Sequence, residues 1–245
     1  MLTRRIQQLF ARIPEILFGF TDISYSPYAE QYKSALVFAV PYEEQLTLAR
    51  YMEEGFENSI LNARGKAENI LEQIKRLLEE EKAAYFIPPA AQQNEEELQA
   101  VFSFKYAAVN AGLGWIGKND VLITERYGPR VRLSAVLIDA EVEYGMKSVE
   151  SKCPADCTKC IDICPHKALT GKTWNIHARR SDLIDYHLCS RKRSEYIKSH
   201  GRKHSCGLCM VVCPFGRYEE KDVSDEPSGV EVCTAKAVER TGVQR

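Results

Sequence analysis

Cysteine is the residue type that most clearly indicates chemistry in this chain of 245 residues, because eight of its nine cysteines fall into two spaced runs. The first run reads C-x3-C-x2-C-x3-C-P, and the second reads C-x2-C-x3-C-P with one further cysteine upstream. The eight are Cys153, Cys157, Cys160, Cys164, Cys189, Cys206, Cys209 and Cys213. Bacterial ferredoxins bind [4Fe–4S] clusters with runs of C-x2-C-x2-C-x3-C-P. The pattern therefore predicts a redox protein with two [4Fe–4S] clusters.

The order of the cysteines also predicts how they are shared between the clusters. In two-cluster ferredoxins the fourth cysteine of a run ligates the cluster of the other run. One cluster is therefore predicted on the first three cysteines of the first run and the last of the second, namely Cys153, Cys157, Cys160 and Cys213. The other is predicted on Cys164, Cys189, Cys206 and Cys209.

Two other uses of cysteine explain the pattern less well. Zinc sites take four ligands in separate pairs and do not need a proline after the last ligand. Disulfide frameworks are typical of small secreted domains, whereas this chain is long and we expect no secretory signal. Cys233 lies outside both runs, in an acidic tail, and is given no role.

Length and composition limit the class of protein. A chain of this length with 44% hydrophobic residues can form one sizeable core with a small appended domain. The apolar run at residues 13–18 is interrupted by Pro14 and Glu15 and is too short to span a membrane. We therefore expect a cytoplasmic protein with no membrane partner.

Charge is distributed unevenly, although the formal net charge is only −1. Residues 151–213 contain twelve Lys and Arg against five Asp and Glu. Because a [4Fe–4S]²⁺ cluster with four thiolates carries about −2, part of this excess can compensate the clusters. The remainder, at residues 191–193 and 202–204, fits an acidic electron donor, a phosphate-bearing substrate or an ordinary solvated surface.

Hydrophobic patterning upstream of the cysteines predicts both strands and helices. The uninterrupted apolar residues 35–40 predict a buried strand, and a stripe of apolar residues within 66–82 predicts a helix. Residues 84–87 predict a further strand, and residues 95–111 predict a second helix. This part of the chain must therefore provide the sheet and helices that support the cysteine segment.

Two later strands decide the fold class. Residues 120–124 and 131–142 are predicted to form an antiparallel pair joined by the turn at 127–130. An antiparallel pair after alternating strands and helices indicates an α+β or mixed-sheet fold and not a doubly wound one. The predicted organisation is an α/β domain at 1–146, a ferredoxin-like double-cluster domain at 147–217 and a tail at 218–245.

A glycine-rich loop at residues 112–117 has the sequence G-x-G-x-x-G. A dinucleotide-binding loop of this kind follows a strand and opens a helix, whereas here a predicted helix precedes the loop and a strand follows it. Two interpretations are left. The backbone N–H groups could contact a large polar ligand, with Lys118 and Asn119 adding donors, or Gly112 could simply cap the helix before a tight connection.

The glycine loop and the cysteine runs together resemble the epoxyqueuosine reductase family. The resemblance rests on residues 111–119, on Leu-Ile-Thr at 122–124, and on the two cysteine-proline runs with Cys189 between them. It implies a nitroreductase-like α/β domain that binds cobalamin and a ferredoxin-like domain that delivers electrons to the cobalt. The cluster that includes Cys189 would lie nearer the cobalt. The residues implied to line the corrin are Gly112, Leu113, Gly114, Trp115, Gly117, Lys118 and Asn119.

The resemblance also implies an activity and partners. Family members remove an epoxide oxygen from a modified tRNA base, and the more distant reductive dehalogenases remove a halide from carbon. A reductase of this kind takes electrons from a low-potential donor such as ferredoxin or flavodoxin. Its substrate would be a small molecule or a modified nucleoside, and either reaction needs a proton donor beside the substrate.

The chain departs from the family pattern in two ways. Residues 98–106 lie where the family has its catalytic aspartate but contain no Asp, and no helical-repeat extension for tRNA follows the second run. We therefore expect tRNA to be a doubtful substrate. Tyr106 is the candidate proton donor, because the dehalogenases use a tyrosine and because it precedes the loop by one to two helical turns. Packing of Tyr106 against Phe102 is the alternative, and Lys105 and Tyr127 are weaker candidates.

Two other functions are compatible with the sequence. An electron-transfer protein would use the α/β domain to dock a partner and would bind no corrin. A flavin-binding reductase would use the same scaffold for a different cofactor. The glycine loop favours a bound cofactor, whereas the missing aspartate favours a changed substrate or none.

Overall fold

The computed structural model describes residues 2–43, 47–89, 100–144, 150–191 and 206–216. Upstream of the cysteines the elements are α1 (Leu2–Phe10), β1 (Leu17–Asp22), β2 (Ser34–Pro41), α2 (Glu53–Glu80), β3 (Tyr85–Phe86), α3 (Phe104–Asn110), β4 (Trp115–Ile116), β5 (Leu122–Ile123) and β6 (Val131–Ile138). The cysteine segment adds short helices, α4 (Lys159–Asp162), α5 (Arg180–Leu183), α6 (described at 186–191) and α7 (Leu208–Val211). The mixture of helices with an antiparallel sheet confirms the predicted α+β class.

The main sheet has four strands in the order β1-β2-β6-β3. Each neighbouring pair is antiparallel, with Phe20 opposite Leu36 in the first pair and Val37 opposite Ala135 in the second. β2 and β6 are the long central strands, and β3 pairs with β6 through two residues. The predicted strand at 35–40 is confirmed as β2.

Helices cover both faces of this sheet, which explains why residues 35–40 of β2 are all apolar. Side chains alternate between the two faces along a strand. Residues 36, 38 and 40 of β2 lie in a core with α1 and α2. Residues 35, 37 and 39 lie in a second core, which contains α3. The sheet is therefore a middle layer with helices on either side.

The predicted apolar stripe of α2 packs on the sheet. Ile70, Ile74 and Leu78 are buried at the spacing of one helical face, and Ala63 continues the same face upstream. The helix begins at Glu53, well before the predicted start at residue 66. Sequence patterning missed this first half because its buried residues, Phe56, Ser59 and Ala63, include only one large apolar side chain.

Two sequence predictions about secondary structure were wrong. The second helix does not begin near residue 95: α3 begins at Phe104, residues 100–103 are not helical, and residues 90–99 lie outside the described part. Ser103 caps this start, because its hydroxyl accepts a hydrogen bond from the N–H of Tyr106 at 3.3 Å.

The predicted pair of strands at 120–124 and 131–142 does not form either. β5 pairs with β4, whereas β6 pairs with β2 and β3. Thr124 and Gly128 exchange backbone hydrogen bonds of 2.9 Å, and this tight turn redirects the chain before β6 begins. The residues between β5 and β6 therefore connect two different sheets, and the two strands do not form a hairpin.

The cysteine segment packs on the α3 side of the sheet. Trp174 and Leu183 are buried in the core that contains Ala107 and Ala108 of α3. No helix in the described ranges is long and apolar enough to cross a membrane. The basic residues at 192–205, the tail at 218–245 and Cys233 lie outside the described residues.

Candidate metal centre

Four of the eight cysteines line one pocket. They are Cys153, Cys157 and Cys160 from the first run and Cys213 from the second. The other lining residues are Lys118, Asn119, Ile123, Lys159, Pro214 and Phe215. The structure thus brings together the four cysteines predicted to share a cluster, and we call this site the first cysteine pocket.

Local backbone structure positions these cysteines. The N–H of Cys157 bonds to the carbonyl of Pro154, and Cys160 lies in α4. Cys213 follows α7, whose start depends on Gly207 at φ 64°. A Cβ at residue 207 would lie 2.1 Å from the ring of Phe56, so this turn needs glycine for conformation and for space.

The remaining cysteines, Cys164, Cys189, Cys206 and Cys209, form a second cysteine group. Cys209 lies within electrostatic reach of the other three and also of Cys160. Cys164 is buried with Leu169 and Ile184 in an apolar cluster. The second cysteine group therefore lies next to the first cysteine pocket.

Burial controls the ionisation of these thiols. Burial, together with the neighbouring Cys153, Cys213 and Cys157, raises the pKa of Cys160 to about 12. Burial raises the pKa of Cys213 to about 11, although a backbone N–H of Phe215 and the Arg130 guanidinium oppose the increase. Thiols in this state stay protonated unless a cation replaces the protons, so loading with iron releases protons.

An unpaired buried donor lies beside the first cysteine pocket. Trp115 packs in one apolar cluster with Cys153 and Cys213. Within the described residues, Trp115 Nε1 and Asn119 Oδ1 are the buried side-chain nitrogen and oxygen atoms without a hydrogen-bond partner. Sulfur ligands of a cluster accept N–H hydrogen bonds, so the indole N–H fits an iron–sulfur group here. Over the same described ranges, no group of three or more His, Cys, Asp or Glu side chains has the arrangement that would hold a single metal ion.

The glycine loop has a structural explanation. Gly112 has φ 76°, its N–H bonds to the carbonyl of Val109, and the N–H of Leu113 bonds to that of Ala108. This is the Schellman arrangement that ends a helix, as one of the two interpretations predicted. A Cβ at residue 114 would lie 2.0 Å from the Ile123 carbonyl oxygen, so the β4–β5 hairpin itself requires this glycine.

Exposure divides the loop into two parts. Gly112 is exposed, and Leu113 and Gly114 are half-buried, whereas residues 115–120 are buried. Only the first part is open to a large ligand. The buried part contacts the cysteine segment.

Lys118 and Asn119 were predicted as cofactor donors, and both side chains point to the cysteine segment. The Lys118 ammonium donates to the carbonyl oxygens of Pro154, Ala155 and Cys157 at 2.9, 2.8 and 3.1 Å. The Asn119 amide donates to the Cys209 carbonyl at 3.0 Å. These bonds join the glycine loop to both cysteine runs.

Arg130 makes a similar connection that the sequence did not reveal. It is buried, and its guanidinium donates to the carbonyl oxygens of Met210, Cys213 and Phe215 at 3.3, 3.2 and 2.5 Å. The sequence indicated only a turn at this position, because nothing in local spacing relates residue 130 to residues 210–215.

The candidate proton donor, Tyr106, lies on α3 among aromatic residues. It is half-buried, and its ring meets that of Tyr25 edge to face with centroids 4.7 Å apart. Burial raises the pKa of Tyr25 well above its usual value, Asp22 and Tyr106 contribute to the increase, and a hydrogen bond with Asn110 opposes it. Tyr25 stacks on Phe102, and Tyr106 packs against the apolar core that contains Phe102.

The weaker candidates have structural contacts. The Tyr127 hydroxyl donates to the Glu15 carbonyl at 2.8 Å. Lys105 binds Asp120 at 2.6 Å, and Asp120 also accepts from Arg180 of the cysteine segment at 3.2 Å. Asp120 is therefore a buried link between α3 and the cysteine segment, and sequence patterning did not identify it.

Comparison with known proteins agrees with this geometry. Residues 152–216 match the family described as 4Fe–4S double cluster binding domain. The epoxyqueuosine reductase of Lactococcus garvieae (strain Lg2) is 33% identical over 115 residues, 45% of this chain and 31% of the relative. Over the matched residues the chain is similar to the epoxyqueuosine reductases. The enzyme of that name from Gloeobacter violaceus is 34% identical over 122 residues, 45% of this chain and 37% of the relative.

Solved structures of epoxyqueuosine reductases share the fold. The enzyme from Bacillus subtilis, with its catalytic loop swung out of the active site, has a TM-score of 0.58 at 15% identity, covering 91% of this chain and 68% of that one. An epoxyqueuosine reductase with an epoxyqueuosine-modified tRNA-Tyr stem loop has a TM-score of 0.59 at 15% identity, covering 93% of this chain and 68% of that one.

A reductive dehalogenase also shares the fold. Its structure, which suggests a mechanism for B12-dependent dehalogenation, has a TM-score of 0.56 at 14% identity, covering 83% of this chain and 30% of that one. The predicted resemblance and fold are confirmed. The sequence matches span about a third of the length of the two curated epoxyqueuosine reductases.

Proposed function

We propose that this chain is an iron–sulfur reductase similar to the epoxyqueuosine reductases. The observation that carries the proposal is the first cysteine pocket, where three cysteines of one run meet Cys213 of the other inside a double-cluster domain. Cys153, Cys157, Cys160 and Cys213 hold one [4Fe–4S] cluster. The second cysteine group holds the other.

The two clusters transfer electrons in sequence from a low-potential donor such as ferredoxin or flavodoxin. Cys160 of the first pocket and Cys209 of the second group pack against the same apolar cluster and lie within electrostatic reach of each other, which supports transfer between the clusters. The protein itself supplies the insulated path, because the cysteines lie in apolar surroundings. In this proposal residues 1–146 bind cofactor and substrate, residues 147–217 hold the clusters, residues 218–245 form a tail, and the protein works in the cytoplasm.

Cobalamin is the proposed final cofactor, on the strength of the shared fold. A bound cobalamin would supply a strongly reducing cobalt centre. The accessible part of the glycine loop, Gly112, Leu113 and Gly114, would contact the corrin. The buried side chains of Trp115, Lys118 and Asn119 do not fit that role, because they point to the cysteine segment.

Tyr106 is the proposed proton donor for the reduced product. Tyr106 is half-buried beside Tyr25 on α3, the helix that precedes the glycine loop. Tyr106→Phe should lower turnover about 100-fold or more with iron content unchanged. Tyr25→Phe is the matched control, because it removes the neighbouring hydroxyl. Equal losses in both variants would assign Tyr106 a packing role.

The substrate class follows from the relatives. One solved relative is bound to an epoxyqueuosine-modified tRNA stem loop, and we propose a modified nucleoside or another small molecule with a reducible carbon–oxygen or carbon–halogen bond for this chain. An epoxyqueuosine-containing stem loop and the free nucleoside should be assayed side by side.

Metal and cofactor analysis of protein purified without oxygen tests the function. About eight irons per chain, together with stoichiometric binding of added cobalamin, would support the cobalamin-dependent reductase. Eight irons without cobalamin affinity would leave an electron-transfer protein, and a flavin spectrum would indicate the flavin-binding reductase. Protein with intact structure and no iron would overturn the proposal entirely.

A further inference from the structure

Lys118 carries a positive charge buried beside the first cysteine pocket. Only 4% of the residue is exposed, and it lines the pocket together with the four cysteines. Its nitrogen donates to three carbonyl oxygens, those of Pro154, Ala155 and Cys157. Three simultaneous donors require an ammonium group, since a neutral amine has only two N–H bonds.

The charge of Lys118 is not cancelled by a carboxylate within the described residues. The ion pairs in that part of the chain involve other cations, and the Lys118 partners are neutral carbonyl groups. Buried charges are screened much less by salt and water than exposed ones. The positive charge of the Lys118 ammonium is therefore only weakly screened at the pocket.

Arg130 adds a second buried positive charge, which lies beside the second cysteine run. Its guanidinium is buried and donates to the carbonyl oxygens of Met210 and Cys213. Both cations belong to the α/β layer, whereas the cysteines belong to the cluster segment. The α/β layer thus does more than support the segment mechanically.

We propose that Lys118 sets the reduction potential of the cluster in the first cysteine pocket, with Arg130 assisting. The inference rests on the proposed function, because it requires a cluster there. Adding an electron makes the cluster more negative, so a nearby fixed cation favours the reduced form and raises the potential. The cluster accepts the electron, the cysteine ligands stay deprotonated, and Lys118 stays protonated.

Lys118→Gln tests the proposal, since glutamine can still donate to two carbonyls without carrying charge. EPR-monitored redox titration of anaerobically purified protein should show that the first cluster is about tenfold harder to reduce, which is about 59 mV for one electron. The second cluster should change far less. Cys189→Ala, which removes a ligand of the second group only, identifies which signal belongs to which cluster.

Two controls separate charge from structure. Lys118→Arg keeps the charge and should restore most of the potential. Lys33→Gln removes an equal charge at a surface ion pair with Asp139 and should leave both potentials unchanged. If Lys118→Gln assembles both clusters with unchanged potentials, Lys118 is only a structural tie and the proposal is wrong.

A second variant tests the proposal if the Lys118→Gln protein does not assemble its clusters. Asn119→Asp is nearly isosteric and puts a negative charge on the same pocket wall, so it should also lower the potential of the first cluster. Assembly of this variant with an unchanged potential would overturn electrostatic control by this wall. Absence of iron from the unmodified protein would instead overturn the proposed function, and the inference with it.

Discussion

The rings of Trp115 and Phe215 meet edge to face, with centroids 5.0 Å apart and planes 80° apart. Trp115 belongs to β4 of the α/β layer, and Phe215 follows the second cysteine-proline pair. Cys153 and Cys213 pack in the same apolar cluster. The α/β layer and the cysteine segment therefore share a core at the first cysteine pocket.

Trp115→Phe should lower the reduction potential of the first cluster and not that of the second. The substitution keeps an aromatic ring against Phe215 but removes the indole N–H, which has no hydrogen-bond partner among the described residues and belongs to a side chain packed with Cys153 and Cys213. Because N–H donors to cluster sulfurs raise the reduction potential, the first cluster should become harder to reduce, by about tenfold or less. Redox titration followed by EPR measures the change.

Trp174→Phe is the matched control for that substitution. Trp174 is the other tryptophan of the chain and is buried against the α3 core, not beside Cys153. Its replacement should affect stability without changing the potential of either cluster. A potential shift of the same size in both variants would contradict a specific role for the Trp115 N–H.

Gly128→Ala should destabilise the contact between the turn before β6 and the cysteine segment. Gly128 has φ 57°, and a Cβ there would lie 1.9 Å from the carbonyl oxygen of Phe215. The left-handed backbone and the clash should together lower the free energy of unfolding by about 2–4 kcal/mol. Urea unfolding followed by far-UV circular dichroism measures this loss.

Gly65→Ala provides the opposite expectation at another glycine. Gly65 lies inside α2, and a Cβ there would have nothing within 4 Å. Alanine should therefore raise the free energy of unfolding by about 0.5–1 kcal/mol, through helix propensity. If Gly128→Ala were as stable as the unmodified protein, the turn and the cysteine segment would not be in the contact described.

Local sequence patterns predicted the parts of the fold that depend on local periodicity. The apolar run of β2 and the stripe of Ile70, Ile74 and Leu78 on α2 follow from burial on one or two faces. The end of α3 at Gly112 also followed from residue type. That the glycine loop and the cysteine runs belong to one functional unit was indicated only by the family resemblance.

Contacts between distant segments could not be predicted in the same way. β6 pairs with β2 because both are long and buried, and spacing favoured its nearer neighbour, β5. Lys118 reaches residues 154–157 and Arg130 reaches residues 210–215 through tertiary packing alone. The sequence indicated Lys118 only as a candidate cofactor donor and Arg130 only as part of a turn, and neither position predicted contact with the cysteine segment.

Asp120→Asn should loosen the attachment of the cysteine segment to α3. The Asp120 side chain is 7% exposed and pairs with Lys105 and Arg180, so its neutralisation removes a buried carboxylate that two partly buried cations share. Asparagine tolerates the φ of 57° at this position, so the backbone should not change. The free energy of unfolding should fall by about 2–3 kcal/mol.

Asp139→Asn is the control for the buried pair. Asp139 pairs with Lys33 on the surface, where both side chains are about half exposed, and its neutralisation should change the free energy of unfolding by less than about 0.5 kcal/mol. Equal effects of the two substitutions in urea unfolding would show that Asp120 is not a buried link.

The crossed assignment of the cysteines leads to opposite results for two double variants. Cys153→Ala with Cys213→Ala removes two ligands of the same cluster, whereas Cys153→Ala with Cys164→Ala removes one ligand from each. Each double variant lacks two cysteines and shares Cys153→Ala, so the pair is closely matched. Iron content separates the crossed assignment from one in which each run holds its own cluster.

Iron content per chain in these two double variants, purified without oxygen, is the most direct test of the two-cluster centre. The crossed arrangement predicts about four irons and one remaining EPR signal in the Cys153→Ala, Cys213→Ala protein. It predicts almost no iron in the Cys153→Ala, Cys164→Ala protein. The reverse result, with iron retained only when Cys153 and Cys164 are removed together, would contradict the account.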